Sequence, residues 1–217
     1  MILDNNVLVE KMRKIGVIPV VTINDPQKAP YLAEALAEGG IDCAEITFRT
    51  SGASDAIKLI SKASKDFFVA AGTVLTVKQA DEAVQAGAKL VVAPGFNPGI
   101  ASHCKDNLGV PVIPGVATPS EIDSAYSMGL DFVKFFPAEA MGGVKYLKAV
   151  SAPYHMMKYM PTGGISPENL KDYLGMKQVV CCGGSWIASA KLIDEGDFAG
   201  ITKRAKEAMM IVNEVRT

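Results

Sequence analysis

A chain of 217 residues that is 49% hydrophobic holds enough apolar material for one large core and is too short for two comfortable domains, so a single α/β domain over residues 1–217 is expected. With 22 basic and 23 acidic side chains and a formal net charge of −1, it offers no basic stripe to nucleic acid and no polybasic segment to a membrane surface; an anionic ligand has to be held locally. Residues 1–6 carry an acid where a secretory leader would be basic, and no apolar run reaches membrane-spanning length, which predicts a soluble cytoplasmic protein with neither a nucleic-acid nor a membrane partner.

A helix at residues 6–15 is followed by an apolar run at 16–23, read as the first strand. Asp25-Pro26 then opens a helix whose apolar positions Ala29, Leu32, Ala33 and Leu36 recur at helical spacing until Gly39-Gly40 ends it. The unit repeats. Strands are predicted at 42–48, 67–71, 89–93, 111–114, 131–136, 158–160 and 178–182. Helices are predicted at 53–63, 77–86, 99–107, 119–127, 144–150 and 167–174, with one or two more after Trp186. Helix starts such as Thr118-Pro119 and Ser166-Pro167 pair a cap with proline, and Gly87, Gly109 and Gly129 stand at helix ends. About eight strands, each followed by a helix, predict a closed (β/α)₈ TIM barrel with an extra N-terminal helix; an open flavodoxin-like sheet is the runner-up. The cysteines Cys43, Cys104, Cys181 and Cys182 form no C-x-x-C pair and read as buried free thiols.

In such a barrel the chemistry sits where strands give way to loops at their C-terminal ends. Asp131-Phe-Val-Lys134-Phe-Phe136-Pro137 is an apolar strand carrying one lysine near its end. Alternation puts Lys134 on the same face as Phe132 and Phe136. Such burial disfavours the charged form and leaves an amine able to attack a carbonyl, whereas a lysine at a strand end also has the option of snorkelling to water. In the second strand Glu45, Thr47 and Arg49 alternate with Ala44, Ile46 and Phe48, so three polar groups are expected to face the barrel interior. Glu45 suits proton transfer and Arg49 a bidentate grip on a carboxylate, unless the two simply pair with each other. Thr73, at the end of the third strand, supplies a hydroxyl beside Arg49 or a plain helix cap.

The seventh and eighth strands end in Thr162-Gly163-Gly164 and Gly183-Gly184-Ser185. Paired glycines in these two loops let backbone N–H groups approach an anion, at the place where this barrel usually binds phosphate. Only two histidines are present, His103 and His155, without ligand spacing, and no P-loop or G-x-G-x-x-G occurs; no metal and no cofactor are expected. Together these residues suggest imine chemistry on a phosphorylated 2-oxo acid. An imine-free phosphosugar barrel isomerase, or a barrel that only binds such a ligand, are the competing readings.

The runs Glu45-Ile-Thr-Phe-Arg49-Thr, Ala71-Gly-Thr73-Val, Ala93-Pro-Gly95, Pro114-Gly-Val116, Lys134-Phe-Phe-Pro-Ala-Glu139, Gly142-Gly-Val-Lys145, Pro161-Thr-Gly-Gly-Ile-Ser166-Pro and Gly183-Gly-Ser-Trp186 closely resemble the 2-keto-3-deoxy-6-phosphogluconate aldolases. These are bacterial class I aldolases also described as 4-hydroxy-2-oxoglutarate aldolases. The resemblance covers nearly the whole chain and implies a homotrimeric barrel that cleaves 2-dehydro-3-deoxy-6-phosphogluconate in the Entner-Doudoroff route. It implies that Lys134 is the Schiff-base lysine, Glu45 the general acid/base, and Arg49 and Thr73 the groups on the pyruvate carboxylate. Thr162, Gly163, Gly164, Gly184 and Ser185 match the distal, phosphate end. Ala93, Phe96 and Met141 depart from the residues common there and bear on kinetics rather than reaction type. Thr162 and Ser185 favour the gluconate substrate over its galactonate epimer.

Overall fold

The computed structural model describes residues 5–216; the leader reading rests in part on residues 1–4, which lie outside them. Strands and helices alternate: β1 (Val17–Val21), α2 (Ala29–Glu38), β2 (Cys43–Thr47), α3 (Ala53–Ala63), β3 (Phe68–Gly72), α4 (Val77–Ala86), β4 (Leu90–Val92) and α5 (Pro98–Ser102), which runs on as a π-helical turn. Next come β5 (Val112–Ile113), β6 (Gly115–Val116), α6 (Pro119–Ser127), β7 (Phe132–Phe135), α7 (Gly143–Ser151), β8 (Lys158–Pro161), α8 (Pro167–Leu174), β9 (Cys182–Gly184), α9 (Ala190–Glu195) and α10 (Phe198–Arg216). A helix α1 (Asn5–Ile15) precedes the first strand and buries Leu8, Val9, Met12 and Ile15 as one stripe.

The strands are all parallel, and neighbours run β5-β4-β3-β2-β1-β9 on one side and β6-β7-β8 on the other. β5 and β6 are one strand broken at Pro114, which has no N–H to give to a ladder; the first piece pairs with β4, the second with β7. Between β8 and β9 there are single bridges only: Tyr159 of β8 with Val179, which precedes β9, and Thr162, which follows β8, with Gly183 of β9. The sheet therefore curls on itself as a barrel, and the open-sheet alternative falls away. Closure buries both faces of a strand, which is why β2, β3 and β7 contain no exposed residue.

Helices lay apolar stripes on the barrel: Leu32 and Leu36 from α2, Ile57 and Ile60 from α3, Leu170 and Leu174 from α8. Each fully buried leucine or isoleucine contributes roughly 1.5–3 kcal/mol. α10 packs against both α2 and α8, closing the helical ring, and its Thr202 Oγ1 donates to the Ala35 carbonyl at 3.0 Å. No helix among the described residues is long and apolar enough to cross a membrane.

The eighth strand departs from expectation. Residues 178–180 make only a bridge-type exchange with Tyr159, and the ladder with β1 forms at Cys182–Gly184, where Ile18 faces Gly183 and Pro19 faces Gly184. The two glycines are strand rather than loop.

Candidate active site

Lys134 comes from β7 and Glu45 from β2, strands on opposite sides of the barrel. Their side chains meet inside, Lys134 Nζ donating to Glu45 Oε1 at 3.1 Å. Lys134 is 4% exposed and Glu45 is 0% exposed, so this is a pair withdrawn from water, and removal of one partner would leave an uncompensated buried charge. The lysine does not snorkel. The Phe136 ring lies 5.4 Å from the ammonium, close enough for a favourable cation–π contact.

Glu45 has capacity in reserve. Its Oε2 is buried and takes no hydrogen bond from any described residue, so one of the two carboxylate oxygens is not engaged by the protein. The carboxylate lies directly over Gly72 of β3: a Cβ there would stand 2.2 Å from Oε1. Glycine at 72 is thus a condition for Glu45 to occupy its place, a role invisible in the sequence, where Gly72 reads only as a small residue before Thr73.

The alternation expected in β2 holds only in part. Thr47 is buried, but its hydroxyl donates to the Val21 carbonyl at 2.8 Å and lies 3.2 Å from Thr22 Oγ1, tying β2 to β1. Arg49 stands past the strand end, exposed, and the ion partner of Glu45 is Lys134, not Arg49. Thr73 follows immediately after β3. Because Thr47 is in register with Gly72, and Phe48 N donates to Gly72 O at 2.8 Å, Arg49 and Thr73 leave the barrel on neighbouring strands. Thr73 has φ 54°, left-handed for a β-branched residue; such strain collects at functional sites.

The second pair of strand ends is β8 and β9. Thr162 is buried and bridges to Gly183, whose missing side chain leaves room for the threonine: a Cβ would lie 2.4 Å from Thr162 Oγ1. Gly163 and Gly164 have φ 98° and 79°, a conformation only glycine adopts without strain. Ser185 is exposed just beyond β9. At Gly184, the space a Cβ would need belongs to the Trp186 ring, 1.7 Å away; packing, rather than an open loop, explains that glycine.

The barrel mouth thus combines an amine and a carboxylate in contact, an arginine and a hydroxyl on one pair of strand ends, and a left-handed glycine turn with a serine on another. Such a set is suited to attack on a carbonyl, proton transfer and retention of an anionic substrate.

The family model described as "KDPG and KHG aldolase" matches residues 8–204. The chain is 46% identical to the 2-dehydro-3-deoxy-phosphogluconate aldolase of Treponema pallidum, over 94% of this chain and 96% of that one. It is 42% identical to the KHG/KDPG aldolase of Escherichia coli K12, over 89% of this chain and 90% of that one. Among solved structures it resembles the KDPG aldolase of Legionella pneumophila with pyruvate captured as a covalent carbinolamine intermediate: TM-score 0.88, 38% identity, 92% of this chain and 97% of that one.

Proposed function

Because the chain belongs to the KDPG and KHG aldolase family, we propose that it is a class I aldolase in which Lys134 forms the imine and Glu45 moves the protons. Its substrate is 2-dehydro-3-deoxy-6-phosphogluconate, cleaved to pyruvate and glyceraldehyde 3-phosphate; 4-hydroxy-2-oxoglutarate, giving pyruvate and glyoxylate, is a second substrate. The observation that carries the residue assignment is the 3.1 Å contact between two buried groups, Lys134 Nζ and Glu45 Oε1. Glu45 takes a proton from the Lys134 ammonium, and the free amine attacks the C2 ketone. Glu45 returns that proton to the carbinolamine hydroxyl, which leaves as water and gives the protonated imine. Glu45 removes the proton of the C4 hydroxyl, the C3–C4 bond breaks, and its electron pair passes to the imine nitrogen, leaving an enamine and the aldehyde. Protonation of the enamine at C3 and hydrolysis release pyruvate and return the free amine.

Arg49 and Thr73 hold the carboxylate, which bidentate pairing with a guanidinium favours. Thr162, Gly163, Gly164, Gly184 and Ser185 serve the distal, phosphorylated end, supported by the left-handed turn at 163–164. A cytoplasmic homotrimer is part of the same reading; exposed Leu75, just before α4, and Val77, its first residue, offer surface for association to cover, and sedimentation equilibrium measures it.

The test is mass spectrometry after incubation with pyruvate and borohydride, with peptide mapping. A reduced pyruvyl adduct on Lys134, absent from Lys134→Ala, is the expected result. A folded protein that forms no adduct would replace this reading with imine-free phosphosugar chemistry.

A further inference from the structure

One partly buried polar contact lies apart from Lys134 and Glu45. Tyr173, on α8, is fully buried, and a buried phenol needs a hydrogen-bond partner. Its hydroxyl donates to Glu139 Oε1. Burial, then this contact, pushes the Tyr173 ionisation upward, so the phenol stays protonated and donating. Glu139 belongs to the loop that follows the Lys134 strand, and otherwise stands at the exposed surface.

The same residue grips the glycine turn. Ala138 N donates to Thr162 O at 2.8 Å, and Glu139 N donates to Gly163 O at 3.0 Å. In a trans peptide the N–H points opposite to the C=O. Pinning these two carbonyls to the 138–139 loop therefore turns the N–H groups of Gly163 and Gly164 together to the other side, the arrangement that favours an anion. The stem of Glu139 covers Gly164, whose Cβ, if present, would stand 2.6 Å from Glu139 Cβ and Cγ. Asn169 Nδ2 holds the Gly164 carbonyl at 2.9 Å. The anchor on Tyr173 thus keeps Glu139 folded over the turn.

We propose that Glu139 and Tyr173 are positioning residues that fix the Gly163–Gly164 turn to receive the substrate phosphate. This rests on the assignment of that turn to the distal end under the proposed function. Neither residue touches the reacting atoms; they act through the two backbone N–H groups.

Steady-state kinetics of the full-length enzyme on 2-dehydro-3-deoxy-6-phosphogluconate and on 4-hydroxy-2-oxoglutarate, which has no phosphate, test it. Tyr173→Phe keeps the ring and removes the donor. Its KM for the phosphorylated substrate is expected to rise about tenfold, as loss of a hydrogen bond to a charged group permits. The loss in kcat/KM on the phosphate-free substrate should be smaller by about fivefold or more. Glu139→Ala should behave alike, whereas Glu139→Gln, whose amide oxygen can still accept from the phenol, should recover most of the KM. Equal losses on both substrates, or an unchanged KM, would overturn the proposal. The wild-type enzyme is measured first: no pyruvate adduct sinks the aldolase reading itself, and an adduct with no preference for the phosphorylated substrate sinks the assignment of the turn.

Discussion

Lys134 and Glu45 are each unusual as residues, since buried charges are rare unless paired. Their contact makes each the reason the other is tolerated. Glu45→Gln keeps the shape and an acceptor oxygen but loses the base. Pyruvate trapping should persist in part while turnover falls by about 10² to 10⁴, read by adduct mass and kcat side by side. Gly72→Ala is the sharper test of geometry, because a methyl group 2.2 Å from Oε1 must displace the carboxylate. Its kcat should fall about tenfold or more, in a protein whose far-UV circular dichroism is unchanged; wild-type kcat would show that Glu45 does not need that seat. Lys134 and Glu45 were legible as polar residues within apolar strands, and Arg49 and Thr73 as residues just past strand ends. Gly72 was not, because its role is set by a side chain on the neighbouring strand.

At the scale of elements, local chemistry decided most boundaries. α3, α4, α6 and α8 span the residues their capping and periodicity predict. α6 shows why. Thr118 Oγ1 accepts from Glu121 N at 3.4 Å, while Glu121 Oε2 accepts from Ala117 N at 2.8 Å and Thr118 N at 2.9 Å, a capping box encoded within four residues. Thr118→Ala should cost about 1 kcal/mol, measured by denaturant unfolding. Partial burial pushes the Glu121 carboxyl up, but bonds from Ala117 and Thr118 outweigh it and hold it below the ordinary 4.5. A depressed carboxyl contributes stability above its unfolded value that is lost as pH falls through the folded one. The stability gap between wild type and Glu121→Gln should therefore be full near neutrality and shrink below pH 4.5, and a gap independent of pH would remove Glu121 from the cap. β9 was misplaced for the opposite reason: Gly183 and Gly184 have no side chains to show a period, and their pairing with β1 is a non-local fact.

Across the whole molecule, closure of the barrel controls what water can reach. Cys43, Cys104, Cys181 and Cys182 are all free and buried. Burial, the largest cause at each, raises Cys43, Cys181 and Cys182 well above the usual thiol range, with nearby Asp42 adding at Cys43; Cys104 is pushed up to about 11. Since the thiolate is the reactive form, the native protein should react with a disulfide reagent at pH 8 about 10²-fold or more slowly than the unfolded chain, which should release four equivalents. Fast reaction in the folded state would mean that the barrel opens on that timescale. The strand–helix repeat, the caps and the residue types of the site were determined by the sequence alone, because periodicity, proline and glycine act within a few residues. Only the tertiary structure decided that Lys134 reaches Glu45 from across the barrel, that Gly72 makes room for that contact, that the last strand runs through two glycines, and that Glu139 folds back onto Tyr173. Each of these joins residues distant in the chain, and such contacts exist only once closure of the barrel has brought its strands round to face one another.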